Sequence, residues 1–193
     1  RVTPEQLDVM LHPSFDPKAK EAAFKKGDLI ARGLNASPGA ATGAAVFESE
    51  RAMQRAEHGE DVVLVRPETS PDDVGGMLLS KGILTQHGGA TSHAAVVARG
   101  SNIPCVVGCE DLMVDEEARQ FVVKGRVVKE GDIISIDGTT GEVFFGAIPT
   151  VDVDFAKELT LTLENGIYSW GTPVGPFDLL LWRGTRLFPS ARS

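Results

Sequence analysis

Residues 83–100, ILTQHGGATSHAAVVARG, place a histidine directly after two glycines and two hydroxyls, at the start of what reads as a helix. Gly88 and Gly89 can adopt backbone conformations closed to other residues, so successive main-chain N–H groups can turn toward one point. Thr91 and Ser92 carry hydroxyls suited to cap a helix that starts directly after them. His93 then falls in the first helical turn, where unpaired N–H groups and the helix dipole favour an anion. An imidazole, with an unperturbed pKa of about 6.5, is a competent neutral nucleophile near pH 7. Attack on a phosphoryl group would leave a phosphohistidine whose new negative charge meets the helix N-terminus. Which ring nitrogen would carry it is not written in the sequence. Without a Lys-Ser or Lys-Thr after the glycines, the loop is not a Walker loop. A histidine beside two glycines is, taken alone, more often structural than catalytic. His12 and His58 read as surface residues, and His87 lies near the loop without an evident role.

The neighbouring elements must hold that histidine in place. GILT predicts a strand and SHAAVVARG a helix closed by Gly100. The small apolar run AAVVA suits burial against a sheet and would leave His93 on an exposed rim. Upstream, DVVLVRP (61–67) predicts a strand stopped by Pro67. TSPDDVGGMLLSKG follows with a clear helix start: Ser70 as N-cap, Pro71 at the first position, Asp72 and Asp73 at the positive dipole end. Ser49 can cap a helix through ERAMQRAEHG with Gly59 near its end, and AAVFE before it suits a short strand. Downstream, PCVVG, QFVVKGRVVKEGDIISIDG and GEVFF supply short strands. VVKGRVV reads as a hairpin turning at Gly125, and DGTTGE as another tight turn. The order predicts a mixed α/β domain over 31–148, layered from sheet and helices rather than built as one long doubly wound sheet. Residues 1–30 read as a helical N-terminal approach segment or linker, interrupted by the prolines of LHPSFDP. Residues 149–193 read as a C-terminal linker or the truncated start of a next domain. Both tryptophans, Trp170 and Trp182, lie in that tail.

Composition narrows the function classes. The chain of 193 residues is 42% hydrophobic and 24% charged with a formal net charge of −8, the profile of a soluble globular protein. No apolar run approaches the roughly 20 residues of a membrane span, and no signal-peptide pattern is visible. Lys18, Lys20, Lys25 and Lys26 are interspersed with Asp16, Glu21 and Asp28, a solvated surface rather than the basic stripe of a nucleic-acid binder. Cys105 and Cys109 form one C-x3-C without a second ligand pair, a weak metal signal. Two unpaired thiols fit a reducing compartment. Cytoplasm is the default expectation, with a plastid or another organelle open. The opening RVTPEQLDVM, without an initiating Met, is expected of a piece of a longer chain.

GGATSHAAVVAR is similar at every position to the phosphohistidine signature of the phosphoenolpyruvate-utilising enzymes. These are the pyruvate, phosphate dikinases, the phosphoenolpyruvate synthases and enzyme I of the sugar phosphotransferase system. VLVRPETSPDDVGGMLLSKGILTQHGG, GLNASPGAATGAAVF, DGTTGEVFFG and the opening RVTPEQLDVMLHPSFDP resemble the dikinase branch most. The resemblance covers residues 1 to about 150, and the tail departs from it. It implies an α/β fold, the swivelling β/β/α phosphohistidine domain, with His93 as the transiently phosphorylated nucleophile. Gly88, Gly89, Thr91 and Ser92 would form the phosphate loop and helix N-terminus. Thr91 would also be a candidate regulatory phosphosite, and Arg99 a docking or structural residue. The resemblance places Mg2+ and ATP on other domains of a parent enzyme, with no metal expected in this chain. It implies nucleotide-binding and phosphoenolpyruvate/pyruvate-binding domains of the same parent as partners, a homodimer formed through the missing barrel domain, and neither nucleic acid nor membrane. A synthase, an enzyme I, a non-catalytic module keeping the fold, or a metal site from His87, His93 and the cysteines are the rival readings.

Overall fold

Four short parallel strands form the middle of the molecule, and their composition explains their place. The computed structural model describes residues 12–151, which fall within one compact unit. The strands are β4 (Ala40–Val46), β5 (Val62–Arg66), β6 (Gly82–Thr85) and β7 (Cys105–Val107), each paired in parallel with the next. Runs such as VVLV and CVV are apolar on both faces, as strands covered on both sides must be. Val62 and Leu64 point to one layer, Val63 and Val65 to the other.

Three helices cross between these strands and cover one face. They are α2 (Ser49–Glu57), α3 (Val74–Leu79, preceded by a 3-10 turn at Pro71–Asp73) and α4 (His93–Gly100). Ala52, Met77, Ala94, Ala95 and Ala98 bury against Val46, Val62, Leu64, Ile83, Cys105 and Val107. Ser49 does not cap α2; Glu48 holds the cap position. The Ser49 hydroxyl instead accepts from Gly76 N–H (3.1 Å) and donates to the Asp73 carbonyl (3.1 Å), tying α2 to α3.

Antiparallel strands extend the sheet on both sides: β2 (Leu29–Arg32), β12 (Glu142–Phe145) and β11 (Ile133–Asp137) beyond β4, and β3 (Leu34–Ser37) beyond β7. The strand order β2-β12-β11-β4-β5-β6-β7-β3 makes β2 and β3 the two edges, yet only Gly33 separates them in the chain. The sheet therefore curls until its edges meet, which leaves little unpaired edge. The β11–β12 turn seals the seam. Gly33 N–H donates to the Gly141 carbonyl (2.8 Å), and a Cβ on Gly138 would lie 1.9 Å from the Ser37 carbonyl oxygen. DGTTGE is thus more than a tight turn, because its glycines let two backbones touch.

The third layer is a small antiparallel sheet of β8 (Met113–Asp115), β9 (Gln120–Val123) and β10 (Arg126–Lys129). The β9–β10 hairpin turns at Lys124 and Gly125 with φ of 47° and 78°, as a two-residue primed turn requires. Its Phe121, Val123 and Val128 close the core formed with Val63, Val65, Leu84, Ile134 and Ile136. The layers run small sheet, large sheet, helices, which is the β/β/α arrangement expected.

Near the N-terminus, β1 (Ser14–Phe15) leads into α1 (Pro17–Lys26) and pairs antiparallel with β13 (Thr150–Val151). The Asp16 carboxylate caps α1 by accepting from Ala19 N–H at 2.8 Å. Phe24 meets Phe144 edge-on at 5.1 Å, and Lys20 reaches Asp137 (2.5 Å) and Glu142 (2.7 Å), so α1 is fixed to the large sheet. His12 is buried, at 7% exposure, and is not the surface residue its sequence context predicted. The tryptophan-bearing tail lies outside the described residues.

Two outcomes follow from this packing. Gly138→Ala should lower unfolding stability by about 2–3 kcal/mol, because the new methyl group must displace backbone. Gly100→Ala, where a Cβ meets nothing within 4 Å, should leave stability level or raise it by about 0.5 kcal/mol; urea melts of both variants measure the contrast. Burial pushes the Cys105 and Cys109 thiols up to about 12, with Arg99 opposing the shift at Cys105. At pH 8 their thiolate fraction is then roughly one in ten thousand, so a thiol reagent should label neither until urea unfolds the chain.

Candidate functional site

The parallel pairing of β5 with β6 decides which loops meet. Val65 sits opposite Leu84 and Arg66 opposite Thr85, so the segments following both strands leave the same end of the sheet side by side. The first segment carries Thr69 and the second carries His93. Their side chains meet there, with Thr69 Oγ1 at 3.0 Å from His93 Nδ1. His93 is half-buried rather than standing on an open rim. With Nδ1 engaged by the hydroxyl, Nε2 is the nitrogen left for chemistry. The nucleophilic tautomer is the one in which Nδ1–H donates to Thr69 Oγ1 and Nε2 keeps its lone pair.

Each segment is braced from behind. Pro67 accepts from His87 N–H (2.9 Å) and Arg66 from Gln86 N–H (3.1 Å), so the two loops are stitched backbone to backbone. Asp73 Oδ2 accepts from the Ser70 N–H (2.8 Å) and hydroxyl (3.1 Å), which fixes the turn beside Thr69. Ser70 thus opens the 3-10 turn as expected, and Asp73 completes the bonding.

Ser92, not Thr91, caps α4: its Oγ accepts from Ala95 N–H at 3.4 Å and its N–H donates to the Gly89 carbonyl at 2.9 Å. Gly88 has φ +114°, and a Cβ there would press on Ser92 at 3.0 Å, so that position requires glycine. Gly89 has open space around a Cβ position. Thr91 and His87 are exposed. Arg99 folds back from the end of α4, donating from Nη2 to the Ala90 carbonyl (2.6 Å) and from Nη1 to the Ala36 carbonyl of β3 (3.1 Å). Its guanidinium holds the glycine loop to helix and sheet.

Sequence reasoning gave no role to Thr69, because ETSPDD reads as a helix start and Ser70 takes the cap. The signal that could have found it is topological. In an α/β sheet the segments leaving the carboxyl ends of adjacent parallel strands converge, so hydroxyls just after β5 are candidates to face His93. Gly108 was missed as well; a Cβ on it would lie 2.7 Å from the Gly88 carbonyl oxygen, so β7 ends against the loop. The metal reading from His87, His93 and the cysteines is not supported. Cys105 is buried in the helical layer and Cys109 in the core between the sheets. Among the described residues no three His, Cys, Asp or Glu side chains converge as metal ligands.

Comparison with known proteins fits this geometry. Residues 58–141 match the family described as PEP-utilising enzyme, mobile domain. The chain is 49% identical over 150 residues to pyruvate, phosphate dikinase of Clostridium symbiosum, covering 78% of this chain and 17% of that protein. It is 46% identical over 158 residues to the Rhizobium meliloti (strain 1021) dikinase, covering 82% of this chain and 17% of the relative. The chloroplastic dikinase of Flaveria trinervia is 51% identical over 147 residues, covering 76% of this chain and 15% of that protein. The chain thus spans about one-sixth of the length of these relatives. His93 lies inside the matched segment, at the joint of two stitched loops, so residues 58–141 match the mobile domain of the PEP-utilising enzymes.

Proposed function

We propose that this chain is the phosphoryl-carrier domain of a pyruvate, phosphate dikinase, with His93 Nε2 as the nucleophile. The observation that carries the reading is the Thr69–His93 contact at the first turn of α4, inside a domain of this family. A hydroxyl on Nδ1 selects the nitrogen, and the helix N-terminus lies beside the charge that attack creates.

In the proposed sequence, the Nε2 lone pair attacks the β-phosphorus of ATP. The P–O bond to the α-phosphate breaks, and AMP leaves with the electron pair. Inorganic phosphate then attacks the terminal phosphorus, and pyrophosphate departs, leaving one phosphoryl group on Nε2. The enolate oxygen of pyruvate finally attacks that phosphorus; the P–N bond breaks, Nε2 regains its lone pair and phosphoenolpyruvate is released. Nδ1–H stays on Thr69 Oγ1 throughout, so no proton shuttles through the ring. Magnesium would neutralise the phosphate oxygens on the nucleotide and pyruvate domains. The side chain bonded to His93 is a hydroxyl rather than a carboxylate, and the described residues offer no ligand set for the metal.

Attachment of the domain suits a carrier. The entering strand β1 and the leaving strand β13 lie side by side, and Pro13 meets the chain at Ala40, the start of β4. His93 sits beyond the other end of the parallel strands. A phosphate on exposed Thr91 would put negative charge beside the incoming phosphoryl group and oppose transfer.

Labelled phosphoenolpyruvate, given without nucleotide to the full-length polypeptide, should place acid-labile, alkali-stable phosphate on His93 and none on a His93→Ala variant. Absence of label on the folded polypeptide would overturn the carrier reading. ATP turnover that needs inorganic phosphate and yields pyrophosphate separates a dikinase from a synthase or an enzyme I. Thr69→Val should slow labelling by roughly 10–100-fold through loss of ring orientation, and Thr69→Ser should restore it. A 15N spectrum of the imidazole should show Nδ1–H in the parent and a mixture of tautomers in Thr69→Val.

A further inference from the structure

We infer that Asp73 is a positioning residue for the proposed phosphoryl transfer. It fixes Thr69 and, through Thr69, the ring of His93, with Arg66 as its counter-charge. This inference rests on the carrier reading of His93.

Asp73 is 3% exposed, and its carboxylate is used on both sides. Oδ2 accepts from the Ser70 N–H at 2.8 Å and from the Ser70 hydroxyl at 3.1 Å. Oδ1 lies 3.4 Å from Arg66 Nε. Capping a 3-10 turn does not call for an arginine behind the carboxylate, since a box closed by Ser70 and Asp73 would serve as well at an exposed turn. The arginine is itself held. Arg66 Nη1 donates to the Phe47 carbonyl at 2.9 Å and pairs with Glu116, which follows β8 of the small sheet. Arg66 is also the last residue of β5 and lies opposite Thr85 of β6. The carboxylate is thus referred to the same strand pair from which the His93 segment departs.

Thr69 stands between two fixed points. The Pro67 carbonyl accepts from His87 N–H at 2.9 Å, and Ser70 is tied to Asp73. From there, Thr69 Oγ1 reaches His93 Nδ1 at 3.0 Å. A hydroxyl selects one tautomer of a ring only while its own position is set. Displacement of such a group by about 1 Å can cost on the order of a hundredfold in rate. The turn that carries Thr69 is therefore part of the machinery that orients Nε2, and Asp73 is the side chain that closes this turn. Arg66 supplies the counter-charge that burial of the carboxylate demands. The small sheet contributes to both segments, through Glu116 on Arg66 and through Val114 N–H, which donates to Gln86 Oε1 at 3.0 Å.

Two readouts in the full-length polypeptide test the role: labelling of His93 from phosphoenolpyruvate, and the 15N spectrum of its imidazole. Asp73→Ala should slow labelling by roughly tenfold and leave a mixture of tautomers, as is expected of Thr69→Val. Asp73→Asn keeps one acceptor oxygen for the Ser70 N–H but turns its amide NH2 toward Arg66. It should fall between, with labelling slowed about threefold and a minor second tautomer. In a Thr69→Val background, Asp73→Ala should add less than about twofold, because the route to the ring is already cut. A folded Asp73→Ala that melts earlier but keeps the labelling rate and tautomer would reduce Asp73 to a cap and overturn the inference. Full multiplication of the two effects in the double variant would overturn it as well. If Asp73→Ala does not fold, an unchanged tautomer in Asp73→Asn has the same force. An unmodified polypeptide that takes no label on His93 would instead sink the carrier reading beneath it.

Discussion

The parallel register between β5 and β6 is the constraint on which the site depends. It puts Arg66 opposite Thr85, so that the segments leaving both strands run together and bond through Pro67, His87, Arg66 and Gln86. Only then can a hydroxyl after one strand meet an imidazole after the next. A slip of one residue would turn Val63, Val65 and Leu84 from the core toward the helices, so the burial of both layers holds the register and, with it, the Thr69–His93 contact.

The fold protects that register by having few loose ends. Its two sheet edges belong to one stretch, Leu29–Ser37, and glycines at 33, 138 and 141 allow the seam to close backbone against backbone. Beside that seam, α1 is fastened through Phe24 on Phe144 and Lys20 on Asp137 and Glu142, which flank the β11–β12 turn. Thr42 and Ser135 hold the leaving chain, with Thr42 Oγ1 donating to the Ile148 carbonyl and Ser135 Oγ accepting from Ile148 N–H. These bonds brace the attachment end of the domain against its large sheet, as the proposed carrier role requires.

Arg99 shows how the site divides its labour. An arginine on the helix that begins at His93 invites a reading as an anion clamp, but here both terminal nitrogens are taken by carbonyls. It shapes the loop, and the N-terminus of α4 remains the anion-favouring feature beside His93.

The sequence by itself determined the helix that begins at His93, the glycine loop before it, the strands of apolar residues and the β9–β10 hairpin. Each is a local decision of propensity, capping or turn chemistry, made within a few residues. It also singled out His93 as the candidate, because the signature around that residue is continuous in the chain. Only the tertiary structure decided that Thr69 faces the ring, that Ser92 rather than Thr91 caps the helix, that Ser49 links two helices instead of capping one, and that His12 is buried. Those outcomes depend on which strands become neighbours and on how the sheet curls. Contacts between residues 24 or 100 positions apart are fixed by packing both faces of one sheet at once, and no local pattern records that.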